Sequence, residues 1–236
     1  MHETGRKIGI FGGTFDPIHL GHVRLALHAA EKFGLQKVLM MPTPAPYHRT
    51  DKKVSALEHR INMVKLAIEG REKLEFSDFE IKLPGPTYTV NTLAEYRKVF
   101  PDDEIYLIIG GDSLFSIEKW YKADEIFKQA VILSSSRRGE SKGASGSCKP
   151  DVKAAGPAGK NVFETNVMAA ETEKDIFEQQ IEYLHTKYDA RVYDIDMPPM
   201  DISSSEIVRR IRAGEPINGM VEKNVEEYIY RNSLYI

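Results

Sequence analysis

Four short runs of almost unbroken apolar sequence recur along the chain: residues 7–11 (KIGIF), 37–41 (KVLMM), 105–109 (IYLII) and 130–133 (AVIL). A strand with one wet face alternates apolar and polar residues, whereas a strand covered on both faces has no such need. Between the runs lie segments with helical spacing. Residues 22–33 carry Val23, Leu25, Ala26, Leu27, Ala29 and Ala30, then stop at Gly34, a residue suited to the end of a helix. Leu57, Ile61, Val64 and Ile68 recur four, three and four apart, which predicts a helix, and Ser55 with Glu58 predicts its capping box. Further strands are expected at 74–79 and 191–195, and helices over 90–100, 114–120, 124–128 and 171–188. Such alternation, joined by right-handed crossovers, describes an α/β fold with a doubly wound parallel sheet and helices on both faces.

The 236 residues are read as one domain, 1–236, with a flexible insertion at about 139–161. That insertion has five glycines, two prolines and few large apolar residues, so it can bury little. With 32 Lys+Arg against 35 Asp+Glu, a net charge of −3 gives no global attraction for nucleic acid or an anionic membrane. No run approaches the ~18 apolar residues of a membrane span, and the first seven residues are too polar to open a signal peptide. The lone Cys148 cannot form an internal disulfide, which fits a reducing compartment. The expectation is a cytoplasmic protein without nucleic-acid or membrane partners; the sequence leaves open whether it is a homo-oligomer.

Between the first strand and the first helix stands Gly12-Gly13-Thr14-Phe15-Asp16-Pro17-Ile18-His19-Leu20-Gly21-His22. In an open α/β sheet this turn lies at the carboxyl ends of the strands, where ligands bind. Glycines there let backbone N–H groups approach phosphate oxygens, and a helix start favours anions. The segment is neither the dinucleotide fingerprint nor a P-loop, since G-x-G-x-x-G and the Gly-Lys-Ser/Thr ending are both missing. His19 and His22, three apart at a helix start, can both donate to one phosphate chain. A metal site is the competing use of two histidines, but no third ligand is signalled.

This segment resembles the signature of the nucleotidyltransferase superfamily, with His19-Leu20-Gly21-His22 as its HxGH. Within that superfamily the chain is similar to the bacterial nicotinate-nucleotide adenylyltransferase family over about residues 6–138 and 190–235. Pro46-Tyr47-His48-Arg49 resembles the PPHK/R loop, with Tyr47 where a second Pro is usual. Gly85-Pro86-Thr87-Tyr88-Thr89 with Thr92-Leu93 resembles SYT..TL, and Ile109-Gly110-Gly111-Asp112-Ser113-Leu114 with Trp120-Tyr121 resembles IGxDSL…WY. Ile202-Ser203-Ser204-Ser205, then Ile207 and Arg209 or Arg210, resembles ISSTxIR; Tyr228-Ile229 and Leu234-Tyr235 resemble the C-terminal end.

The resemblance implies a Rossmann-like fold that transfers AMP from ATP to nicotinate mononucleotide, giving deamido-NAD and pyrophosphate. His19 and His22 would be catalytic. Gly12, Gly13, Thr14, Phe15, Gly110, Asp112, Ser204, Ser205 and Arg209 would bind ATP, with Asp112 on ribose hydroxyls. His48, Arg49, Thr87, Tyr88, Thr89 and Trp120 would bind nicotinate mononucleotide, with Trp120 stacked on the pyridine ring. No metal ligand is expected from the protein, Mg²⁺ being held mainly by phosphates. The residues also admit plainer roles: Asp112 and Thr89 as N-caps, Trp120 as core, and Ser203 with Glu206 as a capping box. Two other functions stay open: a related nucleotidyltransferase acting on phosphopantetheine or glycerol phosphate, and a nucleotide-binding regulatory module without catalysis.

Overall fold

A computed structural model describes residues 5–44, 54–85, 87–136, 173–198 and 200–236. The expected PPHK/R-like loop with His48 and Arg49, the insertion at 139–161 and Cys148 lie outside these residues. Among the described residues the strands are β1 Lys7–Gly13, β2 Lys37–Pro42, β3 Leu74–Phe76, β4 Glu104–Ile108, β5 Val131–Ser134 and β6 Val192–Asp194. They form one sheet in the order β3-β2-β1-β4-β5-β6, and every neighbouring pair is parallel. The helices are α1 Leu20–Lys32, α2 Leu57–Ile68, α3 Phe79–Lys82, α4 Thr89–Val99, α5 Gly111–Leu114, α6 Ala123–Gln129, α7 Glu173–Tyr188, α8 Ser204–Arg212 and α9 Lys223–Arg231.

The unbroken apolar runs are explained by two cores, one on each side of the sheet. Met40, Ile108 and Leu133 face one core, with residues of α1, α2, α8 and α9. Ile8, Ile10, Leu107 and Ile132 face the other, with residues of α4, α6 and α7. Each fully buried Leu or Ile side chain contributes roughly 1.5–3 kcal/mol of transfer free energy, so a strand with two buried faces doubles its yield per residue. Gly9 sits at the middle of this arrangement because a Cβ there would stand 2.9 Å from Val38 Cγ2 and 3.0 Å from Leu35 Cδ1.

Chain order around β1 matters for function. From β1 the chain moves outward through β2 and β3, then returns to β4 on the other side of β1. The connections leave β1 and β4 in opposite directions, which opens a crevice at their carboxyl ends.

Several expected boundaries shift for identifiable reasons. The run at 74–79 is a strand only over Leu74–Phe76, since Phe79 already begins α3. The region 114–120 divides into α5 and a 3₁₀ turn, Ile117–Lys119. The capping box expected of Ser55 and Glu58 does not form. Helix α2 starts after Ala56 without a side-chain cap, and the Ser55 N–H instead donates to Asp16 at 3.1 Å. A tertiary partner has taken the group that a local cap would have used.

Candidate functional site

Helix α1 begins two residues earlier than the apolar pattern suggests, at Leu20, with His19 as its N-cap. The His22 N–H donates to His19 Nδ1 at 3.4 Å and the His19 N–H donates to His22 Nδ1 at 3.2 Å. This is a capping box built from two imidazoles, with the rings stacked at a centroid distance of 3.7 Å. Each Nδ1 accepts a hydrogen bond from a backbone N–H, so the neutral form of each ring carries its own proton on Nε2. The helix cap therefore settles the tautomer, and both rings present an Nε2–H donor.

The spacing explains the intervening glycine. A Cβ on Gly21 would lie 3.0 Å from both Cε1 and Nδ1 of His19, so any larger residue forces that ring to shift. His22 is braced from the other side by Phe15, edge-on at 5.1 Å. His19 itself is 9% exposed, a nearly buried group at the floor of the site.

Gly12 and Gly13 close β1. Gly13 needs to be small, as its Cβ would press the Phe15 ring at 3.2 Å. Phe15 has φ +49°, and Asp16-Pro17 is a cis peptide. The β1–β4 register, with Ile10 opposite Leu107, carries Gly13 to the level of Gly110, the N-cap of α5. Space beside Gly110 is open, since nothing lies within 4 Å of an added Cβ. Asp112 is exposed in the first turn of α5 rather than capping it.

The far end of the chain joins here. Ser204 Oγ donates to the Pro17 carbonyl at 2.9 Å, which sets the start of α8 against the β1–α1 turn. Ser203 is the N-cap of α8 and accepts from the Glu206 N–H at 3.2 Å. Glu206 does not complete the box; its carboxylate pairs with Arg209 and Arg210, which hold its pKa down to about 2. Arg209 is clasped by Glu206 and Glu215 through four hydrogen bonds of 2.8–2.9 Å. Ser205 is exposed beside it.

A second group of expected residues also assembles. Tyr88 stands at the N-cap position of α4 without a side-chain cap bond, with Thr87 before it and Thr89 as the first helical residue. The Tyr88 ring packs on Tyr121 at 4.7 Å, so the SYT..TL-like and WY segments meet. Trp120 is partly buried against the second core. Thr87 Oγ1 is buried without a hydrogen-bond partner among the described residues.

Sequence reasoning missed the groups that hold these loops from behind. Arg60 is 1% exposed and donates to the carbonyls of Thr14, Thr43, Pro44 and Ser55 at 2.7–3.2 Å. Burial lowers its pKa, opposed by the charge of Asp16. Asp16 also accepts from the Tyr235 hydroxyl at 2.5 Å, and burial with that negative charge pushes the Tyr235 pKa far up. Glu80, 7% exposed, accepts from Thr92 Oγ1 at 2.9 Å while its Oε2 has no partner among the described residues. Burial raises its pKa. A charged residue inside an apolar periodicity, as Arg60 is between Leu57 and Val64, was the available signal.

Among the described residues no group of three or more His, Cys, Asp or Glu could hold a metal ion, and no helix is long and apolar enough to cross a membrane. The donor set instead suits anions: two Nε2–H groups, a glycine turn and the start of α8. His28 bonds the Arg24 carbonyl and His59 the Tyr228 hydroxyl, so both have local roles.

The model of the cytidylyltransferase-like family matches residues 10–210. The probable nicotinate-nucleotide adenylyltransferase of Caldicellulosiruptor saccharolyticus is 36% identical over 229 residues, covering 97% of this chain and 98% of that protein. Its counterpart in Carboxydothermus hydrogenoformans is 33% identical, covering 98% and 99%. Among solved structures, Plasmodium falciparum nicotinic acid mononucleotide adenylyltransferase complexed with NaAD superposes with a TM-score of 0.67 at 18% identity, over 98% of this chain and 97% of that one.

Proposed function

The chain belongs to the cytidylyltransferase-like family and, within it, to the nicotinate-nucleotide adenylyltransferases; from that premise we propose how its residues carry out the reaction. The activity is transfer of the adenylyl group of ATP to nicotinate mononucleotide, in the biosynthesis of NAD. A phosphate oxygen of the mononucleotide bonds to the α-phosphorus of ATP, the bond from that phosphorus to the bridging oxygen breaks, and pyrophosphate leaves with the negative charge. The nucleophile is already anionic at neutral pH, so no general base is needed. Positioning and charge stabilisation carry the catalysis.

The mutual cap of His19 and His22, which leaves the proton of each neutral ring on Nε2, is the observation that carries this reading. The two rings stand beside Gly12, Gly13, Thr14 and Phe15 and near the start of α8, where the triphosphate would lie. Ser204, Ser205 and Arg209 would contact the phosphates. Arg209 would reach them by exchanging one of its two exposed carboxylate partners, Glu206 or Glu215. Gly110 and Asp112 would face the ribose of ATP. Thr87, Tyr88 and Thr89 at the start of α4 would bind the nicotinate carboxylate, helped by the positive helix end. Trp120 would stack on the pyridine ring, and His48 and Arg49 would meet the mononucleotide phosphate. Mg²⁺ would enter bound to ATP, neutralising charge on the triphosphate. The whole chain, 1–236, would act as one domain in the cytoplasm.

The experiment is to incubate the protein with ATP and Mg²⁺ and to offer nicotinate mononucleotide, nicotinamide mononucleotide, phosphopantetheine or glycerol phosphate in turn. Pyrophosphate release with the first acceptor is expected. Release only with another would reassign the acceptor, and nucleotide binding without release would make the protein a regulatory module.

A further inference from the structure

Arg60 touches none of the residues proposed to meet the reacting atoms through its own side chain except the backbone of Thr14. We propose that Arg60 is a positioning residue that aims the Phe15 N–H at the ATP phosphates. The proposal rests on the reading that ATP binds at the β1–α1 turn, and extends it to a residue inside the protein.

A peptide unit is planar and trans, so the C=O of one residue and the N–H of the next point in opposite directions. Arg60 Nη1 donates to the Thr14 carbonyl at 2.9 Å and draws it inward. The N–H at the other end of that peptide belongs to Phe15, and it is turned away from the guanidinium. It meets no acceptor among the described residues. An N–H left over at a turn that a single buried cation orients is what an anion site requires of its backbone.

The remaining bonds explain why the cation is an arginine. Nη1 also donates to the Thr43 carbonyl at 2.7 Å, Nη2 to Pro44 at 3.1 Å and Nε to Ser55 at 3.2 Å. One planar fork thus ties the β1–α1 turn to the end of β2 and the lead into α2. A lysine ammonium has three donors on one atom and cannot span four carbonyls from three segments. The Thr43 N–H returns a bond to the Gly13 carbonyl at 2.9 Å, so the tie runs in both directions. Asp16, on the same turn, supplies a negative charge that offsets part of the burial cost of the guanidinium.

The test compares wild type, Arg60→Lys and Arg60→Gln by calorimetric binding of ATP and of adenosine, with thermal unfolding to establish folding. Adenosine lacks phosphates, so the ratio of the two affinities isolates the phosphate contacts. Arg60→Gln should bind ATP about tenfold more weakly while adenosine affinity stays within about twofold, and Arg60→Lys should fall between it and wild type. Equal losses for ATP and adenosine, or no loss in a folded variant, would overturn the assignment. So would failure of both variants to fold, because Arg60 would then support the whole structure rather than aim one amide. Wild type that binds ATP yet transfers nothing to nicotinate mononucleotide would remove the acceptor assignment and leave this one standing. Intact transfer together with phosphate selectivity unchanged in the variants would do the reverse.

Discussion

His19 and His22 cap each other: each imidazole Nδ1 accepts the other residue's backbone N–H, and the rings stack 3.7 Å apart. The same contact that ends the helix sets two Nε2–H donors side by side. Structure and chemistry are joined in one interaction, so changes at these positions separate into two measurable effects.

His22→Ala removes a donor proposed to face developing charge. Its kcat should fall at least ~100-fold while the KM for ATP moves by less than about threefold. His19→Ala should show a similar loss in kcat and also weaken the N-cap of α1 by about 1 kcal/mol, visible as a lower Tm. Steady-state pyrophosphate release reads the first effect and thermal unfolding the second. Weakened substrate binding with unchanged turnover would refute the catalytic role of the pair.

Gly21→Ala tests the packing of that pair. The new methyl would press on His19 at 3.0 Å. Alanine favours a helix over glycine by roughly 0.5–1 kcal/mol, which offsets a weakened His19 cap of about 1 kcal/mol, so Tm should change little. Turnover should fall about tenfold or more as the ring leaves its place. A fully active Gly21→Ala would show that the ring position is unimportant.

Ser204→Ala breaks one of the bonds that join the two ends of the chain at the site, Ser204 Oγ to the Pro17 carbonyl. The lost hydrogen bond should cost about 1 kcal/mol. Because Ser204 is also proposed to face the phosphates, the KM for ATP should rise severalfold. A change in Tm with no change in KM would confine Ser204 to a structural tie.

Glu80→Gln concerns pH. Burial raises the Glu80 pKa above its ordinary 4.5, so the folded state holds the proton more tightly than the unfolded chain. Its favourable contribution is complete below about pH 4.5 and fades as pH climbs through the raised value. The amide of the variant carries no such titration. The Tm difference, variant minus wild type, should therefore grow as pH rises from about 4.5 through the range of the raised pKa. A difference that stays constant across that range would show that Glu80 does not titrate there.

Residues 7–11, 37–41, 105–109 and 130–133 announced a covered parallel sheet by lacking alternation, and each became a central strand of it. The His19–His22 spacing at the first strand–helix turn was equally readable, since a cap and its helix span only a few residues. Local signals misled where a tertiary partner competed. Ser55 turned its N–H to Asp16 instead of capping α2, and Glu206 turned to Arg209 and Arg210 instead of closing its box. Some relationships have no local trace at all. Tyr235 bonds Asp16 across 219 positions and Ser204 bonds Pro17 across 187.

Periodicity, capping and turn chemistry act over one or two turns of chain, so the sequence alone determined the strands, most helices and the residues of the turn after β1. Which loops share one guanidinium, which carboxylate loses water and which tautomer each histidine keeps depend on strand order and on the packing of distant helices. A hydrogen bond or a desolvation penalty is decided by whatever lies within a few ångströms, and only the folded chain brings Arg60, Asp16 and Tyr235 that close to the turn after β1.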